Sequence, residues 1–239
     1  MMKLYCFPNA GGMSTMYAQW KRYVRADVHC IPVELAGRGM RSSEPLYKSF
    51  EELLEDVMHH VLKDWSDEPY ALFGHSMGST IAYEVAHRMR ERGLQPPDHL
   101  FLSARRPPHS RREKVYHLLG EEEFNLEMMK LGGINEELFA DESYRTFFMP
   151  ILKADIENLE KYKPPLRECQ QVASDMSVLY GTEDTPSRED LLEWKQYTLG
   201  NFRMQAFSGG HFYLNYKYID VISLINNTLE GRLQRLSTI

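Results

Sequence analysis

Apolar residues along the chain gather into short runs, and the segments between most of those runs repeat their apolar positions at helical spacing. KLYCF (3–7), VHCIPVEL (28–35), YALFGH (70–75), HLFLSA (99–104), MSVLYG (176–181) and FRMQAF (202–207) have the length and the flanking turn residues of strands. Helices are predicted near 14–24, 49–65, 77–92, 188–197 and 217–235. Within 77–92, Ile81, Val85 and Met89 recur every four residues, which is the stripe that seats a helix on a sheet. Strands alternating with helices in this way predict an α/β fold with a mostly parallel, doubly wound sheet.

The alternation stops between about 105 and 165. This stretch reads as several short helices broken by Pro-Pro and Gly-Gly, with no convincing strand. A helical insertion between two strands of a parallel sheet is most simply a lid over the strands' C-terminal ends, where ligands bind in open α/β folds. The expected organisation is a core of residues 1–104 and 166–239 carrying a lid at 105–165.

Composition narrows the classes. A chain of 239 residues, 43% of them hydrophobic, is long enough to bury one sizeable core. The formal net charge of −6 gives no overall basic field to draw it to nucleic acid or to an anionic membrane. Cys6, Cys30 and Cys169 are widely spaced and form no CxxC pair, so neither a disulfide framework nor a thiolate zinc site is expected. No run approaches the roughly 20 apolar residues that span a bilayer, and MMKLYCFPNAGG lacks the apolar stretch of a secretory signal. A cytoplasmic protein is expected.

The chemistry begins at GHSMG. Ser76 lies after the apolar YALF and before the helical STIAYEVAHRM, the strand-turn-helix setting of a G-x-S-x-G nucleophile elbow. The alternative is a plain strand-to-helix connection. Gly74 and Gly78 suit the tight turn, which leaves little room for a Cβ. A serine hydroxyl is a weak nucleophile, so it needs a base within hydrogen-bond reach and a third group to orient that base. Asp184, in LYGTEDTPS, and His211, in FSGGHFYL, each follow an apolar run and occur in the order Ser, acid, His of the α/β-hydrolases. Glu183 competes for the acid role. Of nine histidines, His211 alone follows Gly-Gly after a late strand. His75 should point away from Ser76 along its strand and serve packing. Oxyanion amides are expected from Met77 and from the loop CFPNAGG, with Ala10 preferred and Asn9 its rival.

FPNAGG, LFGHSMGSTIAYEVA, SARRPPH, GTEDTPS and FSGGHFYL, in this order across nearly the whole chain, resemble a type II thioesterase of nonribosomal peptide and polyketide synthesis. The resemblance implies an α/β-hydrolase fold. It also implies hydrolysis of acyl or aminoacyl thioesters from the 4'-phosphopantetheine arm of carrier proteins, which clears misprimed or stalled carriers. It makes Ser76 the nucleophile, His211 the base and Asp184 the acid, with Met77 and Ala10 giving the oxyanion amides. No cofactor beyond the arm itself is expected, and a monomer is the default for an enzyme that visits several carriers.

One departure from the family pattern is Ser79, which stands where a glycine is expected after Gly78; packing rather than mechanism should feel it. The basic run RRPPHSRREK offers Arg105, Arg106, Arg111, Arg112 and Lys114. Arg111 and Arg112 are candidates to meet the arm's phosphate or acidic residues of a carrier, with solvated surface as the other reading. Met128 and Met129, with Phe124, Leu126 and Leu131, either line an acyl channel or pack the lid. A general serine esterase, lipase or acyltransferase is the rival activity, since fold and triad do not fix substrate. A catalytically silent carrier-binding module is the rival from another class.

Overall fold

The computed structural model describes residues 1–63, 65–66, 68–110, 114–132, 134, 136–167 and 169–236. Its centre is a sheet of six parallel strands in the order β2-β1-β3-β4-β5-β6. The strands are β1 (Met2–Phe7), β2 (Val28–Pro32), β3 (Tyr70–His75), β4 (His99–Ser103), β5 (Asp175–Gly181) and β6 (Phe202–Phe207). The helices are α1 (Phe50–Lys63), α2 (Met77–Glu91), α3 (Glu121–Lys130), α4 (Glu136–Ala140), α5 (Glu142–Lys161), α6 (Arg188–Leu192) and α7 (Leu214–Leu236).

Period-two alternation sorts the strand side chains onto two faces. Tyr5, Phe7 and Leu72 join Ile81, Val85 and Met89 of α2 and the apolar face of α1 in one core. Leu4, Cys6, Ala71 and Phe73 join Trp20 and the α7 residues Val221, Ile225 and Leu229 in the other. Strand order reverses direction beside β1, so the loops leaving β1 and β3 diverge and open the crevice where such folds hold ligands.

Two predicted helices take a tighter form. Ser14–Arg22 is a 3₁₀ helix, and its buried residues Tyr17 and Trp20 are spaced to match a three-residue turn. Likewise 188–197 divides into α6 and a 3₁₀ segment, Glu193–Tyr197, with Leu191, Trp194 and Tyr197 buried at intervals of three. β2 ends at Pro32, short of residue 35; it is an edge strand, and proline brings no N–H to the ladder.

Between β4 and β5 the described residues hold a 3₁₀ turn (Tyr116–Leu118), α3, α4 and α5, and no strand. They carry a third apolar cluster that includes Phe124, Met128, Ile134, Met149, Leu152 and Ile156.

Candidate active site

Ser76 leaves β3 at φ 54° and ψ −113°, a left-handed conformation that costs a non-glycine residue energy. The surroundings hold it there. Its N–H donates to the Ser103 carbonyl at 2.8 Å, and the helix that follows starts at once. Both flanking glycines are demanded by close approach: a Cβ on Gly74 would lie 2.0 Å from the Gly78 carbonyl oxygen, and one on Gly78 would lie 2.1 Å from that of Phe7. Although Ser76 occupies the N-cap position of α2, its side chain caps no helix amide and meets His211 instead.

Three elements bring the predicted residues together. His211 Nε2 lies 2.9 Å from Ser76 Oγ, and His211 Nδ1 lies 2.9 Å and 3.1 Å from the two Asp184 oxygens. Asp184 follows β5, and His211 lies between β6 and α7. With Nδ1–H donating to the carboxylate, Nε2 is left as the acceptor facing the serine hydroxyl. The Asp184 side chain is 1% exposed, whereas Glu183 is exposed, and its N–H donates to the Gly209 carbonyl. The arrangement can deprotonate the serine hydroxyl and hold the resulting imidazolium beside a buried carboxylate.

Ser76 and His211 open into a cavity of about 420 Å³. Asn9 and Ala10 line it from the loop after β1, and Met77 begins the helix beside the serine. Met128, Leu131, Ile134, Phe148, Leu152 and Ile156, from the segment between β4 and β5, make its apolar wall. Met129 packs within the apolar cluster of that segment and is not among the lining residues, and Leu126 is exposed. Arg105, Arg106 and Lys114 stand at the cavity, where Arg106 meets Asp190 at 3.0 Å and Lys114 meets Glu123 and Glu127. Arg111 and Arg112 lie outside the described residues.

Beneath Ser76, His211 and Asp184 runs a set of polar contacts that sequence reading missed. His75 is fully buried; its Nδ1 lies 2.8 Å from Ser103 Oγ, which lies 2.6 Å from the Tyr213 hydroxyl. Burial, reinforced by the neighbouring His211, holds His75 well below the usual histidine range. The neutral His75 ring packs against the His211 ring with centroids 5.5 Å apart, so it supports His211 without a competing charge. Burial also pushes the Tyr213 phenol up, keeping it protonated. Nothing in the local pattern of HLFLSA distinguishes Ser103. Asp155 was also missed, yet it carries a signal: it is a carboxylate within the apolar stripe Ile151, Leu152, Ile156 and Leu159 of α5.

A parallel sheet wound on both faces, with these residues at its strand ends, defines an enzyme of the α/β-hydrolase fold, and solved structures agree. ClbQ, from the colibactin NRPS/PKS pathway, superposes with a TM-score of 0.90 at 30% identity, covering 96% of this chain and 97% of that one. RedJ, a thioesterase from the prodiginine biosynthetic pathway in Streptomyces coelicolor, gives a TM-score of 0.87 at 31% identity over 95% of this chain and 85% of that one. In sequence, thioesterase PikA5 of Streptomyces venezuelae is 30% identical over 95% of this chain and 81% of its own length. The thioesterase domain family model matches residues 2–229, and the chain belongs to that family as a thioester hydrolase.

Proposed function

We propose that the chain is a type II thioesterase that frees acyl or aminoacyl groups from the 4'-phosphopantetheine arm of carrier proteins, acting as a cytoplasmic monomer. His211 takes the Ser76 proton as Oγ attacks the thioester carbonyl. The amides of Met77 and Ala10 stabilise the oxyanion, and its collapse forms the acyl-serine and expels the pantetheine thiolate, which takes the proton from His211. Water, deprotonated by the same histidine, attacks the acyl-serine, and the departing serine oxygen recovers the proton. The enzyme supplies no cofactor; the arm arrives with the substrate.

The observation that carries this reading is the unbroken hydrogen-bond chain from Asp184 through His211 to Ser76 at the mouth of an apolar cavity. ClbQ, named for an NRPS/PKS pathway, and RedJ, named as a thioesterase of a biosynthetic pathway, support the substrate class. Release of acetyl and aminoacyl groups from phosphopantetheinylated carrier proteins, compared with p-nitrophenyl esters and with Ser76→Ala, tests it. Carrier thioesters cleaved much faster than esters, with activity abolished in Ser76→Ala, support the reading. Turnover confined to simple esters makes the protein an esterase or acyltransferase. Failure of a fluorophosphonate probe to label Ser76 points to a silent module.

A further inference from the structure

The loop expected to carry the second oxyanion amide is held from the lid. Gly11, next to Ala10, donates its N–H to Asp155 Oδ2 at 2.8 Å, and Asp155 belongs to α5. The Asp155 carboxylate is in turn gripped by both terminal nitrogens of Arg38, at 2.5 Å and 2.8 Å. Arg38 also donates to the carbonyls of Gly12 and Ala36, so one guanidinium ties together the oxyanion loop, the loop after β2 and the lid helix. The two charged side chains are 0% and 2% exposed. A buried bidentate pair of this kind has fixed geometry, since losing one partner would leave an uncompensated charge in a dry site.

Apolar contacts act in the same place. Gly11 has φ +72°, and a Cβ there would lie 2.9 Å from the Phe148 ring and 3.2 Å from Leu152, both on α5. The glycine lets the loop lie directly on the helix while its amide points at the carboxylate. Ala10 packs against both the lid cluster and the main core.

We infer that Asp155 is a positioning residue for catalysis: through Gly11 N–H it sets where the Ala10 amide points, so α5 belongs to the catalytic frame. The inference rests on the proposed oxyanion role of this loop. Amides that stabilise an oxyanion act in the transition state, so displacing the loop lowers kcat and leaves ground-state binding largely intact.

The test compares Arg38→Met/Asp155→Asn with Arg38→Met/Asp155→Leu, using acetylated carrier protein and p-nitrophenyl acetate, with thermal melts and Ser76→Ala alongside. Both pairs remove the buried charges, but asparagine keeps an oxygen for Gly11 N–H and leucine does not. The expected result is a kcat about 100-fold lower in the leucine pair, the loss typical of one oxyanion donor, at similar Tm and with KM within about threefold. Should leucine not be accommodated, Asp155→Ala in the same background makes the same comparison. Equal kcat in the two pairs, or a loss confined to KM, overturns the role of Asp155 while an inactive Ser76→Ala leaves the active site standing. Full turnover by Ser76→Ala removes the active-site reading and this inference with it.

Discussion

Ser79 and Ser103 are joined in both directions: the Ser103 N–H donates to Ser79 Oγ at 2.9 Å, and Ser79 Oγ lies 2.8 Å from the Ser103 carbonyl. The same hydroxyl lies 2.8 Å from the Gly74 carbonyl, so the first turn of α2 is stitched to the ends of β3 and β4 around Ser76. The serine found where a glycine was expected is therefore a fastening of the elbow, and packing is where its loss is felt. Ser79→Ala removes the hydroxyl that links the Ser103 N–H with the Ser103 and Gly74 carbonyls, which costs about 0.5–1.5 kcal/mol. Urea unfolding measures this, and a change below experimental error refutes the clasp.

Gly74 and Gly78 tolerate no side chain for a different reason. The atoms that a Cβ would strike are backbone atoms of the neighbouring strand and helix, which cannot step aside as a flexible side chain could. Gly78→Ala is expected to push α2 off β1 at a cost of about 3 kcal/mol and to remove most of the activity. A variant that keeps both its Tm and its kcat would show that the elbow can relax.

Asp184 and Glu183 are neighbours with separate fates. Asp184 is turned inward onto His211 Nδ1, and Glu183 is exposed. Asp184→Asn keeps the shape but favours the wrong imidazole tautomer, and kcat should fall by about 10⁴. Glu183→Gln should change kcat by less than about twofold, as expected of a side chain outside the reacting geometry. Steady-state kinetics on one thioester decides it, and a larger loss at Glu183 would reverse the assignment.

Much of this was legible in the chain. The strand runs, the helix on 77–92 and the serine, aspartate and histidine at strand ends follow from local periodicity and turn chemistry, and the structure brings those three side chains within hydrogen-bond distance. The membrane expectation has a structural counterpart: among the described residues no helix is long and apolar enough to cross a bilayer. What stayed hidden is what depends on distant partners. Ser103 is one serine at the end of an apolar run until β3, α2 and the His211 loop converge on it. Arg38 and Asp155 lie 117 residues apart, and only packing α5 on the loop after β1 makes them a pair. The helix type at 14–24 and 188–197 is not legible, because apolar positions three apart fit an α-helix or a 3₁₀ helix over one or two turns.

His87 gives the fold a pH dependence with a definite sign. It is fully buried on α2, where its Nε2 lies 3.2 Å from the Gln170 carbonyl and its Nδ1 faces Arg90 at 3.1 Å. These partners call for a neutral ring with the proton on Nε2. Burial, then the positive charges of Arg167 and Arg90, push its pKa down to about 3, against an ordinary value of 6.5. Above pH 6.5 both the folded and unfolded chains hold this histidine neutral, and stability is independent of it. Below 6.5 the unfolded chain binds a proton that the fold refuses, so stability falls as the pH drops toward 3. His75, also buried and also lowered, adds in the same direction. Each such histidine contributes up to about 1.4 kcal/mol per pH unit in this window. Urea unfolding at pH 7, 6 and 5, compared between the wild type and His87→Gln, should show a shallower decline in the variant by about one proton's worth. Identical slopes would mean that His87 accepts its proton inside the fold, and its neutral, twice-bonded ring would have to be abandoned.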